Sequence, residues 1–511
     1  MTSDFELPGA GGLTDLGPTE LGMPENPVTH RAMASGAISL LVGEAFQFFL
    51  RLGIAIVLAR LLTPADFGLV GLVTVVTGLL ERTVSDGGMV NALVHRDDVS
   101  RELASSVFFF NLLSGVLLFA GIFLAAGPLA HLMGNSRATD VFRGLALVFA
   151  IASFTHVPEA MLRRSFKYAA MALLVMTNAF VTGLVAIPLA IAGHGVASLV
   201  IGAIAGISAE MILALALSRW TPVLHFRLKE VRSLASFSGN LTAFHFLNYF
   251  SDQGDKFIVG RFVGTSALGF YAVPYRLVFS PISSLGGVFS SLFFPVFARE
   301  QHDHESIGNQ YIRAAAVLAA IAFPFCGLIS ALGGPIVDAL LGPQWHAAGP
   351  IVTVMSAVAL IQSVLITVGV LYTSTGRTNI MLRWGAGAGA VMFACYATGV
   401  YWGAMGVACG FLLGTVLLAY PAVAIPFGLI SCSPAALARQ LAPVVVATVA
   451  GVAAALGVRA GLESLTVAPL AIAVAGGLAG IVVYLPVLLL QKPPVMEDVR
   501  LFIATRRKSA A

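Results

Sequence analysis

Charge is scarce in this chain. Asp, Glu, Lys and Arg make up 11% of its 511 residues, where a soluble globular domain carries about a quarter. With 58% hydrophobic residues and a mean hydropathy of +0.90, a soluble globular protein is excluded. Cysteine is also sparse. Cys326, Cys395, Cys409 and Cys432 stand singly in or beside apolar segments, so buried, inert thiols are expected and neither a disulfide nor a metal site is indicated. There is no Asp-x-Asp pair for a nucleotide-sugar metal site, no phosphate-binding Walker loop and no nucleophile elbow. Residues 1–30 contain no Lys or Arg. Their Gly, Pro and acidic content reads as a disordered tail without the basic start of a signal peptide.

What the chain has in abundance is apolar length. Runs of twenty or more apolar residues recur from Met33 to Leu490, enough to cross a hydrocarbon core about 30 Å thick. Backbone groups in lipid must bond within their own segment, and short alternating barrel strands are missing, so the spans are helices. The fold class expected is an all-α polytopic membrane protein with about fourteen transmembrane helices.

The chain also repeats itself. RLGIAIVLARLLTPADFGLV from Arg51 returns altered as DQGDKFIVGRFVGTSALGFY from Asp252. The pairs Gly53/Gly254, Arg60/Arg261 and Gly68/Gly269 share one offset, 261 − 60 = 201. Gly195-Val196-Ala197 recurs as Gly406-Val407-Ala408 near the close of each repeat. The expected organisation is a tail (1–32), an N-lobe of six helices (33–218), an amphipathic connector (219–236), a C-lobe of six helices (237–425), an extra helix pair (426–491) and a basic tail (492–511). Helix 3 is expected near 105–126, helix 4 as one span near 141–161, and helix 9 near 311–333. Arg377 and Arg383 are read into one turn.

Basic residues cluster in alternate loops, at Arg96, Arg101, Arg163, Arg164, Lys167, Arg227, Lys229, Arg232, Arg299, Arg377, Arg383 and Arg439. That side is cytoplasmic by the positive-inside rule, which puts both termini in the cytoplasm and Arg60 and Arg261 at outer helix ends. An even number of helices per lobe makes the lobes parallel repeats about an axis along the membrane normal. The series Gly406, Gly410, Gly414 and the pairs Gly202/Gly206 and Gly385/Gly389 read as close-packing faces.

Ionisable groups inside spans are costly and either line a cavity or pair. Counting inward from Arg60, Arg51 is about 13 Å deep and Glu44 about 24 Å, and their spacing of seven puts both on one face. The repeat places Asp252 opposite Arg51 and His245 opposite Glu44. Asp255 and Lys256 add charge to helix 7, Arg276 to helix 8 and Glu210 to helix 6. Arg51, Lys256, Arg276, Asp252 and His245 are the candidates for a substrate cavity, and Glu44, Asp255 and Glu210 for ion coupling. The alternative for Arg51–Asp252 and Asp255–Lys256 is buried pairs that lock helices. Arg163, Arg164 and Lys167 read as topology signals, and His302 and His304 as part of a solvated loop.

Several stretches together resemble the bacterial polysaccharide flippases: LARLLTPADFGLVGL, SDGGMVNALVHRDD, LRRSFKYAAMALL, GDKFIVGRFVGTSALGFYAVPYRL, LFFPVFARE and GRTNIMLRWG. That family belongs to the multidrug/oligosaccharidyl-lipid/polysaccharide exporter superfamily, which also holds the lipid II flippase. The resemblance spans about residues 34–430. It implies two six-helix lobes around a central cavity, often with an added helix pair. It further implies alternating access that carries an undecaprenyl-diphosphate-linked oligosaccharide from the cytoplasmic to the periplasmic leaflet of the inner membrane.

Asp255, Arg261 and Arg276 fall within the matching motifs, and Lys256 departs from them. No enzymatic reaction, cofactor or nucleic acid is implied. H+ or Na+ is the candidate coupling ion, and membrane lipids, a polysaccharide polymerase and export machinery are the candidate partners. Two other readings stand beside it: an ion-coupled small-molecule exporter, and a membrane polysaccharide polymerase or ligase. The large basic periplasmic loop expected of the last is missing.

Overall fold

The computed structural model describes residues 48–81, 93–94, 96, 98–232, 249, 253–300, 303–430, 432–465 and 467–491. Helix α1 covers 48–61 and α2 Pro64–Leu80. Then come α3 (Arg101–Leu132), α4 (Ala138–Ala152), α5 (His156–Arg164), α6 (Tyr168–Ile191) and α7 (Val196–Ser218). The second repeat has α8 (253–263), α9 (Thr265–Arg299), α10 (His304–Leu340), α11 (Gly349–Leu365), α12 (Gly369–Ser374), α13 (Thr378–Gly399) and α14 (Gly403–Leu429). A last pair follows, α15 (Pro434–Glu463) and α16 (Pro469–Leu490). Among the described residues nine helical stretches are long and apolar enough to cross a membrane, or ten if the bent pair α4/α5 is one span.

Local chemistry sets the helix ends. Thr63 and Asp66 cap α2 reciprocally, with Pro64 at its first turn, which satisfies amides that have no partner within the helix. Gly264, at φ +119°, makes the equivalent turn between α8 and α9, a backbone state that only glycine enters freely. Thr63 and Gly264 are themselves 201 apart.

Several expected boundaries are corrected. Ser100 caps α3 at Arg101, so the helix expected from about 105 starts four residues earlier. Asp303 caps α10, and Ser306 and Gln310 donate to Glu300, so the helix expected from about 311 already begins at His304. The span expected over 141–161 is two helices bent by 43°. At the break Ser153 and Thr155 donate their hydroxyls to the carbonyls of Ala150 and Ala152, the kind of side-chain competition that bends helices. Arg377 ends a turn, whereas Arg383 sits in the second turn of α13.

Cys326 and Cys395 are buried as expected, but Cys409 is exposed on α14; all four cysteines are free thiols. His304 is exposed as expected but opens α10 instead of lying in a loop, and its ring bonds the carbonyl of Leu429 at 2.7 Å. His302 lies outside the described residues. Arg164 does more than mark topology. Its buried guanidinium donates to the carbonyls of Leu93, Val94 and Arg96, pinning that segment to α5.

The two repeats meet in one apolar core at the end of the bundle that carries Arg60. Leu69, Leu72 and Val73 pack there with Ile258, Leu268, Tyr271 and Trp345. The last pair docks on α10: Tyr484 donates to Ala320 O at 2.7 Å and Arg459 to Ala331 O at 2.8 Å.

Candidate functional site

The site begins where α2 and α9 cross. A Cβ on Gly68 would lie 1.7 Å from the carbonyl oxygen of Thr265, and one on Gly269 would lie 1.9 Å from that of Pro64. The backbones touch, and only glycine permits it. Because 265 − 64 and 269 − 68 both equal 201, each repeat makes the same contact on the other. Reciprocal contacts of this kind belong to a twofold relation.

Polar groups close the same end. Arg60 donates through Nε to Leu340 O at 2.9 Å and through Nη2 to Ala339 O. Gln344 Nε2 and Trp345 Nε1 donate to Ala59 O at 2.9 and 2.7 Å. The Trp345 ring is fully buried, edge-on to Phe67 and Phe270. Arg60 thus caps carbonyls that α10 leaves open at its C-terminus. Its repeat partner Arg261 reaches toward Gly134, beyond the end of α3.

Below this closed end lie charges from both repeats. Arg51 on α1 has an exposed side chain and is close enough to Glu210 on α7 to feel its charge. Arg276 on α9 is within electrostatic range of Arg51. Its side chain is exposed. Glu210 is half-buried and held by Asn178 Nδ2 at 2.7 Å. Among the described residues no ion pair within 4 Å engages Arg51, Arg276 or Glu210. Two exposed guanidinium groups, one from each repeat, therefore stand within electrostatic range of each other with Glu210 near Arg51, an arrangement suited to an anion.

Asp255 and Lys256 are organised differently. Asp255 is 2% exposed and accepts from Tyr271 OH at 2.8 Å and from the Lys256 amide at 2.7 Å. The Lys256 ammonium donates to Gln253 at 2.8 Å and stands 3.7 Å from the centre of the Tyr275 ring, a cation–π distance. Tyr275, Phe279 and Phe411 stack behind it. Of the candidates read from the sequence, then, Arg51, Glu210 and Arg276 come together, and Asp255 and Lys256 form a second, closed group. Glu44, His245 and Asp252 lie outside the described residues. Among the described residues no cluster of His, Cys, Asp or Glu could hold a metal ion.

Sequence reasoning missed Asn178, Tyr271, Tyr275, Gln344 and Trp345. Asn178 carried a signal, as a lone amide inside an apolar run. The others looked like ordinary aromatic or loop residues until folding gave them partners.

Comparison with known proteins follows the same lines. The chain is 27% identical over 352 residues to the teichuronic acid biosynthesis protein TuaB of Bacillus subtilis, covering 66% of this chain and 72% of that protein. It is 27% identical over 337 residues to the succinoglycan biosynthesis transport protein ExoT of Rhizobium meliloti, covering 66% of each. With the lipopolysaccharide biosynthesis protein WzxC of Escherichia coli the figures are 24% over 372 residues, 71% of this chain and 74% of that one. Among solved structures, the lipid II flippase MurJ in an inward closed conformation superposes with a TM-score of 0.70 at 14% identity, covering 88% of this chain and 98% of MurJ. An inward-facing multidrug resistance transporter of the MATE family gives 0.62 at 16% identity, covering 77% of this chain and 96% of its own. These two likenesses establish a shared fold. The family model described as polysaccharide biosynthesis protein matches residues 57–350, more than half of the chain and the whole of the reciprocal contact, and the chain belongs to that family.

Proposed function

We propose that this protein is a flippase of a bacterial inner membrane, with both termini cytoplasmic. It carries an undecaprenyl-diphosphate-linked oligosaccharide repeat unit to the periplasmic leaflet by alternating access, for exopolysaccharide or lipopolysaccharide synthesis. The observation that carries this reading is the pair Arg51 and Arg276, one from each repeat, both exposed and within electrostatic range of each other. A diphosphate drawn into a low-dielectric interior needs cationic partners, and guanidinium can pair with it through two hydrogen bonds at once. Arg51 is about 13 Å in from Arg60 and Arg276 about 16 Å in from the start of α9, so both stand near mid-membrane.

The reciprocal Gly68/Gly269 contact supports two parallel six-helix lobes, 33–218 and 237–425, rocking about a shared axis, with α15 and α16 as the extra pair of a fourteen-span chain. Translocation alone requires no bond chemistry, so the protein acts as a transporter and not as an enzyme. A polymerase and export machinery would use its product. H+ or Na+ coupling would draw on Glu44, Glu210 and Asp255.

One observation favours a second reading. Glu210, held by Asn178, is close enough to Arg51 to feel its charge, and an acid beside an amide also suits a cation in an ion-coupled exporter. The two readings separate by experiment. A strain deleted for the protein is complemented with Arg→Lys and Arg→Ala variants at positions 51 and 276, and surface polysaccharide is measured at matched expression. We expect wild type above Lys and Lys above Ala at both positions, because lysine keeps the charge but loses the fork of donors. Normal polysaccharide from both alanine variants would overturn the proposed role. Full polysaccharide in the deleted strain, with new sensitivity to cationic dyes, would establish the exporter.

A further inference from the structure

The segment between α7 and the second repeat is more than a tether. Arg219, at φ +51°, turns the chain out of α7, and residues 220–230 then fold back over the first turns of α3. Trp220 is buried against Phe108. Arg101 donates to Thr221 O at 3.3 Å. The amides of Val223 and Arg227 donate to Ser105 and Ser106 at 3.0 and 3.2 Å. Ser106 in turn donates to Glu230 at 2.6 Å, and His225 Nε2 lies 3.1 Å from the same carboxylate. Val223 and His225 are half-buried on this side, Arg227 meets α3 through its amide while its side chain is exposed, and residues 228–232 turn into a short helix.

Three apolar side chains of the segment are uncovered. Leu224 is 102% exposed, Phe226 49% and Leu228 62%. Among them in the chain stand the exposed cations Arg227, Lys229 and Arg232. Of the carboxylates nearby, Glu230 is engaged by Ser106 and His225 and Glu159 by Arg163 at 2.7 Å, while Glu102, exposed in the first turn of α3, is close enough to His225 to feel its charge. Among the described residues the surface is therefore apolar residues in a mainly basic frame.

Its level in the bundle is fixed. Gly195, at the start of α7, lies beside Asp66 at the Arg60 end. The 23 residues of α7 then cross about 34 Å and emerge at the opposite end immediately before the segment. Leu224, Phe226 and Leu228 stand within ten residues of that exit, at the depth where hydrocarbon gives way to headgroups.

We propose that residues 224–232 form a docking surface for the anionic phospholipid headgroups of the adjoining leaflet. Leu224, Phe226 and Leu228 enter the acyl boundary, and Arg227, Lys229 and Arg232 bind phosphate. Apolar residues framed by Lys and Arg are the pattern of interfacial segments, and juxtamembrane cations are drawn to anionic lipid. The hydrogen bonds to Ser105, Ser106 and Glu230 hold the segment flat against α3, so it meets the lipid as a preformed strip.

The test is amide hydrogen exchange of residues 224–232 in the full-length protein, in nanodiscs of phosphatidylcholine with and without phosphatidylglycerol. We expect exchange to slow several-fold when phosphatidylglycerol is present. The slowing should be lost in a combined Arg227→Gln, Lys229→Gln, Arg232→Gln variant. Since those side chains are exposed and outside the core, the variant should keep the wild-type melting temperature. Should it not, Leu224→Ser with Phe226→Ser serves as the second variant and should lose the same protection. Equal exchange in both lipids, or protection that survives both variants, would overturn the proposal. So would protection abolished by soluble inorganic pyrophosphate, which would assign the surface to a diphosphate in place of phospholipid. None of these readouts depends on translocation, so the proposal stands or fails separately from the flippase reading.

Discussion

Single residues in this protein divide by whether the fold has given their charge a partner. Arg164 is nearly buried and spends its donors on three carbonyls of 93–96. A hydrogen bond from a charged group contributes about 1.5–3 kcal/mol, and a lysine ammonium lacks the fork that spans three acceptors. Arg164→Lys should therefore lower the melting temperature and speed amide exchange at residues 93–94, while Arg163→Lys beside it should change neither. Asp255 is the same kind of residue in the second repeat, held by Tyr271. Removing that hydroxyl in Tyr271→Phe leaves a buried carboxylate short of a donor, which costs about 1–3 kcal/mol. The expected readout is a lower melting temperature with the order of Arg51 and Arg276 variants in polysaccharide export unchanged. Arg51 and Arg276 are the opposite case, charges left exposed.

At the scale of elements, the crossing of α2 and α9 is the tightest joint in the molecule. Gly68→Ala and Gly269→Ala each drive a methyl into a carbonyl oxygen less than 2 Å away, so the helices must part; overpacking of this kind costs about 1–3 kcal/mol. Gly121 and Gly457 meet nothing within 4 Å. There Ala should be neutral or stabilising by up to about 1 kcal/mol, since Ala is the better helix former. Thermal melting of the four variants in one detergent compares them directly, and equal melting temperatures would remove the crossing from its structural role.

The strip over α3 has its own pH dependence. Burial alone would raise the Glu230 carboxyl, but hydrogen bonds from Ser106 and His225 and the charges of His225 and Arg227 outweigh it and hold it below the usual carboxylate range. A depressed carboxylate contributes stability that is present above the unfolded value, near pH 4.3 or about that, and is lost as pH falls through the folded value. Release of residues 220–230 from α3 should accordingly need acid below that range. Glu230→Gln should release them at neutral pH, as seen by proteolysis or amide exchange.

For the whole molecule, the Arg60 end is closed by a small number of identifiable bonds. Arg60, Gln344 and Trp345 donate to carbonyls of the opposite repeat, each such bond contributing about 0.5–1.5 kcal/mol net. Removing the Arg60 and Gln344 side-chain donors together should shift the balance between closed and open forms by roughly tenfold or more, at 1.4 kcal/mol per factor of ten. Spin labels at Asn135 and Ser266, on opposite repeats at this end, would report the change as a longer distance population in Arg60→Ala with Gln344→Ala. An unchanged distance distribution would mean that the apolar core around Trp345 holds the end shut by itself.

The sequence by itself determined the class of this protein. An apolar content this high leaves no solvent but lipid, and lipid leaves no backbone solution but helices for runs of this length. The 201-residue offset was legible in Gly68/Gly269 and Arg60/Arg261, as was the family, because these depend on residue identity and spacing alone. Which charges come together was decided only by the tertiary structure. Arg51 and Lys256 are equally conspicuous in apolar runs, yet one faces water and the other is folded over the Tyr275 ring. The difference arises from residues far away in the chain, Glu210 and Arg276 for Arg51, and α9 for Lys256, and no local pattern encodes it. The same holds for the break at Ser153–Thr155, where hydroxyls compete with backbone bonds, and for Gly68, whose small size was plain in the sequence. That it stands against Thr265, while Gly269 stands against Pro64, follows from helices meeting across nearly 200 residues of chain, where packing in three dimensions and not spacing along the sequence chooses the neighbour.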